Sequence, residues 1–153
     1  MRINYTRAII AGAVATVVMT AVGVFGAPMM GMPKMNPAEM LAAKMGGNLL
    51  FGWMGHFMVG VALAVIYAAV APRLAGPAWL RGALFGLAPW LLQQFAVMPM
   101  MGMGLFSGSM ALAGGSMLGH LVYGAVVGAI YGLQAERLTI PIAPAAPQAR
   151  GRN

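Results

Sequence analysis

Residues 49–71 read LLFGWMGHFMVGVALAVIYAAVA and contain no charged side chain. A helix of this length spans the hydrocarbon core of a bilayer, which is about 30 Å thick. Comparable apolar runs occur at Ala8–Phe25, Trp79–Met98 and Leu112–Leu133. The sequence therefore predicts an all-α membrane protein with four transmembrane helices.

The overall composition supports a location in lipid. Of the 153 residues, 61% are hydrophobic and only 7% are charged. A soluble domain of this size could not bury so much apolar surface. The net charge of +7 comes from single basic residues beside the apolar runs, and they form no patch of the kind that binds nucleic acid. The expected partners are the lipid bilayer and other membrane subunits, or a second copy of the chain.

Few groups with catalytic chemistry are present. The chain has no cysteine, and its only acidic residues are Glu39 and Glu136. Disulfides, thiolate nucleophiles and paired carboxylates are therefore excluded. No glycine-rich phosphate-binding loop or Ser-His-Asp set is present either. The sequence favours a protein that is not an enzyme.

Lysine and arginine are distributed unevenly about the four predicted spans. One side would carry Arg2, Arg7, Arg73, Arg81, Arg137, Arg150 and Arg152. The other side would carry only Lys34 and Lys44. Because basic residues concentrate on the cytoplasmic side, this asymmetry predicts a multi-pass protein of the bacterial inner membrane with both termini in the cytoplasm.

An internal repeat connects the two halves of the chain. The string PMMGM occurs at residues 28–32 and again at residues 99–103. Gly55-His56 recurs as Gly119-His120, and further matches follow at the same offset of 64 residues. The first span thus has a counterpart in the third, which argues that it is retained as a span and is not a cleaved signal sequence.

The repeat predicts the domain organisation. Residues 1–138 would form one four-helix domain, a tandem repeat of a two-helix hairpin with units at about 7–74 and 81–138. Two-span units have the same orientation, so a pseudo-twofold axis along the membrane normal would relate them. Residues 139–153, rich in proline and alanine and ending in basic residues, are predicted to be an extended cytoplasmic tail.

The two outer loops differ. Asn36-Pro37-Ala38-Glu39 combines a helix-capping residue, a proline in the first turn and a capping acid, so we expect a short interfacial helix there. Residues 104–116 are uncharged and rich in glycine and serine, and we expect them to be irregular.

Small residues follow each histidine at intervals of four along the even-numbered spans. These residues are Gly60, Ala64 and Ala68 after His56, and Gly124, Gly128 and Gly132 after His120. Residues four apart lie on one helix face, and small residues there allow close helix packing in lipid. We interpret both series as helix-packing seams.

The two histidines are the first candidates for ligand binding. A histidine in a membrane helix needs a partner, and His56 and His120 are expected at matching depths and facing the protein interior. They could serve as two axial ligands of a haem b or as ligands of a metal. Alternatively, each imidazole hydrogen bonds to a loop carbonyl or to water.

The methionines of the PMMGM strings are the second candidates. Their thioethers are soft ligands that suit copper(I), and an imidazole could complete such a site. The candidate ligands are Met29, Met30, Met32, Met100, Met101 and Met103. The alternative is that these flexible side chains only pack the turns at the membrane surface.

The repeated PMMGM and the pattern from Gly-His to Ile-Tyr resemble small bacterial membrane proteins of an uncharacterised family. The resemblance implies several membrane spans and brings no activity with it. From the residues, the leading hypothesis is a structural or accessory subunit of a membrane assembly that is not an enzyme. A copper(I)-handling or haem b protein using His56 and His120 is the alternative, and a transporter comes third.

Overall fold

The computed structural model of the chain describes residues 3–137, with side chains described as far as residue 132. The predicted tail at 139–153 lies outside the described residues. The helices are α1 (Tyr5–Met29), α2 (Pro37–Lys44), α3 (Leu49–Val70), α4 (Ala78–Met100) and α5 (Met110–Arg137). All except α2 are long and apolar enough to cross a membrane, so the prediction of four helical spans is confirmed at that level.

The loop before α5 is shorter than the sequence suggested. We expected residues 104–116 to be irregular, but α5 already begins at Met110. The Ser109 hydroxyl accepts a hydrogen bond from the Leu112 amide at 3.5 Å, which places a capping residue just before the helix. A short 3₁₀ turn, Leu105–Gly108, fills the remaining loop. The glycine and serine content of this segment is typical of a loop and gives no sign of the helix start at Met110.

Helix α2 forms where its capping residues predicted it. The Asn36 side-chain oxygen accepts a hydrogen bond from the Ala38 amide at 3.0 Å. The Lys34 ammonium donates to Glu39 at 2.8 Å, and this hydrogen bond holds the pKa of the Glu39 carboxyl below its ordinary value. A methyl group on Gly52 of α3 would overlap the Ala38 carbonyl oxygen, so α2 lies directly on the α3 backbone.

The four long helices pack as a curved row in the order α3, α1, α5, α4. Neighbours in this row are in extensive contact, whereas α3 and α4 barely touch although they are consecutive in the chain. At one end of the bundle along the helix axes, the backbone amide of Asn4 donates to the Tyr131 hydroxyl at 3.4 Å, and we call this the terminal end. The other end carries both PMMGM strings, and we call it the turn end.

Glycines bring the helix backbones together at the two hairpin contacts. A methyl group on Gly82 of α4 would overlap the Gly124 carbonyl oxygen and lie 2.7 Å from the Gly128 α-carbon of α5. Between α1 and α3, a methyl group on Gly12 would lie 3.0 Å from the Gly60 carbonyl oxygen. No side chain can be inserted at these crossings without moving a helix.

Both α1 and α4 widen into a π-helical turn before their PMMGM string. The turns span Val22–Gly26 and Gln93–Val97. In the first the Ala27 amide donates to the Val22 carbonyl, and in the second the Met98 amide donates to the Gln93 carbonyl, each five residues back. The two widened turns lie at equivalent places in the two halves, 71 residues apart.

The prolines of the repeated string explain these turns. Proline lacks an N–H group, and its ring crowds the carbonyl four residues earlier, so regular α-helical bonding cannot continue through Pro28 or Pro99. An extra residue in the preceding turn relieves this conflict. After each proline the chain turns at a glycine with positive φ, 75° at Gly31 and 78° at Gly102. The same backbone path therefore follows from the same five residues.

The two halves resemble each other in the backbone of each hairpin, but the hairpins do not pack against each other as a twofold axis would require. The close contact of α1 with α5 would correspond, by a twofold axis, to a contact of α4 with α3. That contact is nearly absent. The bundle is therefore open on one side, between α3 and α4.

We predict that Gly82→Ala destabilises the protein. The added methyl group collides with the α5 backbone, which cannot rotate away as a side chain can, and overpacking of this kind costs about 1–3 kcal/mol. Gly114→Ala is the matched control, because a methyl group at Gly114 of α5 meets nothing within 4 Å. Thermal unfolding in detergent, followed by tryptophan fluorescence, measures both. Equal melting temperatures for the two variants would contradict the packing described.

Candidate binding cleft

The gap between α3 and α4 contains a cleft near the turn end. It consists of two adjoining cavities, each of about 300 Å³. The deeper cavity lies among all four long helices, and the outer one opens toward Lys34 and Glu39. The two share the residues Met19, Pro37, Met40, Gln93, Met98 and His120. Because the cavities have walls in common, we treat them as one cleft.

His56 lines the deeper cavity, and its hydrogen bond fixes its tautomer. The imidazole Nε2 lies 3.0 Å from the Thr20 hydroxyl oxygen of α1. That hydroxyl has one proton and donates it to the Thr16 carbonyl at 2.7 Å. With the hydroxyl proton directed at Thr16, Nε2 carries a proton and donates to Thr20. In the neutral ring, Nδ1 is left with a lone pair.

His120 lines both cavities and has the opposite tautomer. Its Nδ1 lies 2.8 Å from the Ser116 carbonyl oxygen, one turn earlier in α5. A carbonyl can only accept, so Nδ1 carries the proton. The lone pair is then on Nε2, to which no described residue is hydrogen-bonded.

The structure brings the two predicted histidines to one cavity in buried positions. Each is 8% exposed, and each lines the deeper cavity. The sequence suggested a loop carbonyl or water as the partner of each imidazole, whereas the acceptor for His120 is the Ser116 carbonyl inside α5. The other partner is the Thr20 hydroxyl, which sequence reasoning missed because it lies on a different helix, 36 residues away.

The two adjacent glutamines of α4 have different surroundings. Gln94 is 0% exposed, donates to the Ser116 hydroxyl at 2.9 Å and accepts from the Ser107 hydroxyl at 3.0 Å. Gln93 lines the cleft, and its Oε1 is buried without a hydrogen-bond partner among the described residues. A buried acceptor of this kind is costly unless something else satisfies it.

The PMMGM methionines do not form a single cluster around the histidines. Met29 and Met100 are 87% and 85% exposed. Met30 is also exposed, and the Met32 side chain packs against Gly115 of α5. These four of the six candidate ligands therefore lie outside the cleft.

The remaining two candidates line the cleft together with methionines outside that set. Met101 lines the deeper cavity and Met103 the outer one. Met19, Met40 and Met98 line both cavities. The π-helical turn explains why Met98 lines the cleft. In this wider turn, residues five apart such as Gln93 and Met98 lie on one face of α4. A strict α-helical period would not have placed them together.

The small residues of the two series lie at helix contacts. Gly60 faces the Thr16 side chain, and Ala64, which is 0% exposed, faces Gly12. Ala68 is buried in α3. On α5, Gly124 and Gly128 lie against Gly82, and Gly132 lies against Ala78.

Tyr123 of α5 bridges to α3 beside the deeper cavity. Its hydroxyl donates to the Gly60 carbonyl oxygen, and its side chain is 2% exposed. The deeper cavity is otherwise lined mainly by apolar side chains. Among residues 3–132 no group of three His, Cys, Asp or Glu side chains is close enough to hold a metal ion. Any ligand here would therefore meet imidazole, amide, thioether and apolar groups.

Comparison with known proteins gives one match. Residues 3–141 match a family of unknown function (DUF6789). No curated protein and no solved structure matches the chain.

We predict that Thr20→Val destabilises the protein, because it keeps the side-chain shape but leaves the buried Nε2–H of His56 without an acceptor. The expected cost is about 1–3 kcal/mol. Thr6→Val, at an exposed position in α1, is the control and should have little effect. Thermal unfolding in detergent compares them. In a His56→Leu background the Thr20→Val cost should largely disappear; an unchanged cost there would show that the two side chains are not coupled.

Proposed function

Because the chain belongs to the family of unknown function DUF6789, we propose its role from its own geometry. It acts as an accessory subunit of the bacterial inner membrane that is not an enzyme and holds a small ligand in the cleft between α3 and α4. The observation that carries this proposal is the cleft itself, a half-open space between α3 and α4 lined by two buried imidazoles and apolar side chains.

The cleft has the features of a binding site. Its cavities, each of about 300 Å³, are within the range of small-ligand pockets, which are mostly apolar with a few placed polar groups. The polar groups of the deeper cavity include the imidazoles of His56 and His120 and the amide of Gln93, and the outer cavity adds Lys34, Asn36, Glu39, Ser107 and Ser116. Each histidine is held by a hydrogen bond, so its free nitrogen is fixed before any ligand arrives.

A duplicated hairpin accounts for where the cleft lies. We infer the duplication from the π-helical turns and glycine turns that recur 71 residues apart. In each half the PMMGM proline widens the last turns of the first helix. Asymmetric packing of the two hairpins then leaves α4 apart from α3. The ligand site would therefore result from two copies of one hairpin that pack asymmetrically, with α1 against α5 but α3 apart from α4.

A haem b is less well supported than a smaller ligand. Ligation of one iron by both histidines through Nε2 would break the bond from His56 to Thr20. The cleft therefore favours an ion or a small molecule.

Partners would associate through the lipid-facing surfaces of the long helices. The aliphatic side chains of Ile66 on α3 and Leu84 on α4 are 52% and 56% exposed, and lipid or neighbouring membrane helices would cover them. Other membrane subunits and a second copy of the chain are both compatible with such a surface.

We predict that the termini lie in the cytoplasm and the turn end faces outward. The asymmetry of Lys and Arg motivates this orientation. Green fluorescent protein fused at the C-terminus should fluoresce, and alkaline phosphatase fused there should be inactive. Alkaline phosphatase inserted after Gly47, in the α2–α3 loop, should be active. An active phosphatase at the C-terminus would contradict the orientation.

The binding role predicts that filling the cleft removes its ligand. Gly119 lines the outer cavity, and a methyl group there would meet the Met19 side chain at 3.6 Å, so Gly119→Leu extends into the cleft. Gly114→Leu, on the same helix but facing open space, is the matched control. Native mass spectrometry of protein extracted from cell membranes should show a bound species in the wild type and in the control. It should be absent from Gly119→Leu.

Two results would contradict the binding role. One is a wild-type protein that carries no bound species. The other is a bound species that Gly119→Leu retains while its melting temperature stays near that of the control.

A further inference from the structure

The unprotonated nitrogens of the cleft decide what kind of ligand fits it. His120 Nε2 and His56 Nδ1 both have lone pairs, because their other nitrogens are committed as donors to Ser116 and Thr20. The Gln93 Oε1 is a further acceptor, buried and without a partner among the described residues. These three atoms can give electron pairs and carry no proton to donate.

The thioethers add to this excess of electron-pair donors. Met19, Met40 and Met98 line both cavities, and Met101 lines the deeper one. They come from three different helical segments, so methionine side chains line the space from several sides. Met98 is 2% exposed, so its side chain is packed against protein at the wall of the cleft. A methionine side chain has three rotatable bonds and can adjust its sulfur to a ligand.

A site of thioethers with an imidazole selects soft cations. Cu(I) prefers such ligands, whereas Mg²⁺ and Ca²⁺ prefer carboxylate and carbonyl oxygens. The deeper cavity has no acidic residue in its lining. A monovalent ion is also easier to bury among neutral groups than a divalent one, because the cost of desolvation rises with charge.

We propose that the cleft binds one Cu(I) ion, with His120 Nε2 and the sulfur atoms of Met98 and Met101 as principal ligands. This rests on the proposed binding function and names its ligand. Met98 and Met101 are three residues apart at the end of α4, which puts them on one side of the helix. His120 approaches from α5, with its Nε2 free for a ligand.

The proposal differs from a surface copper site on the PMMGM strings. Met29 and Met100 occupy equivalent positions in the two strings, and both project away from the protein. The two strings therefore supply matched controls for the cleft methionines. A metal held at the exposed strings would depend on these controls, and a metal held in the cleft would not.

The test is a competition for Cu(I) between the purified full-length protein in detergent and a chromophoric Cu(I) chelator, without oxygen. The wild type should bind one Cu(I) per chain, and Ag(I) should compete for it. The double variant Met98→Leu/Met101→Leu keeps side-chain volume but removes both sulfurs, and its affinity should fall at least about tenfold, the change expected for loss of ligand interactions. Met29→Leu/Met100→Leu should bind as the wild type does.

Further readouts separate ligation from a change in folding. Melting temperatures without metal should agree for the two double variants. X-ray absorption at the copper edge should show sulfur and nitrogen ligands in the wild type. In His120→Leu the nitrogen contribution should fall and the affinity should drop.

Absence of stoichiometric Cu(I) binding by the wild type would overturn the proposal, and so would equal loss of affinity in the two double variants. The failure of this inference is distinguishable from that of the binding function. If native mass spectrometry finds another species that Gly119→Leu removes, the cleft is still a binding site and only the assignment of copper is wrong. If the wild type carries no bound species and also binds no Cu(I), both are wrong.

Discussion

The contact on which the architecture depends is the approach of the α4 and α5 backbones at Gly82, Gly124 and Gly128. In lipid no hydrophobic effect drives helices together, so such packing has to hold them. By fixing α4 against α5, this contact also holds α4 away from α3. The two helices that are consecutive in the chain are consequently separated, and the space between them becomes the cleft. The hydrogen bond from the Tyr123 hydroxyl of α5 to the Gly60 carbonyl of α3 connects α3 to the packed pair of α4 and α5.

The prolines of the repeated string add the second constraint. Pro99 forces a widened turn in α4, and the extra residue rotates the last turn of the helix, so that Met98 and Met101 face the cleft with Gln93. In α1 the equivalent turn has another use. There the Gly23 carbonyl accepts a hydrogen bond from the Met35 amide at 3.0 Å, which ties the first loop to α1. The π-helical turn of α1 thus holds a loop in place, and the π-helical turn of α4 sets the direction of side chains.

Much of this arrangement could be predicted from the sequence, because it depends on local signals. Apolar runs predict the spans, Asn36 predicts the start of α2, and intervals of four place Gly124 and Gly128 on one face. The cleft could not be predicted, because it depends on which hairpin contacts which. The methionine ligands that we propose differ in part from those that the sequence suggests, for a related reason. The repeated string contains Met29 and Met100, which are exposed. Met98 lines the cleft because the extra residue of the π-helical turn changes the direction of the side chains that follow it. In the sequence, only the proline indicates such a turn.

The central claim is that two buried imidazoles of opposite tautomer present lone pairs to one cleft. Since the chain has two histidines, nitrogen-15 NMR of the labelled protein in detergent gives two imidazole spectra, which His120→Leu assigns. The hydrogen bonds of the structure predict that His56 is protonated at Nε2 and His120 at Nδ1. The proposed Cu(I) site predicts in addition that Cu(I) shifts the signal of His120 Nε2. Identical tautomers, or rapid exchange typical of imidazoles in water, would contradict the claim.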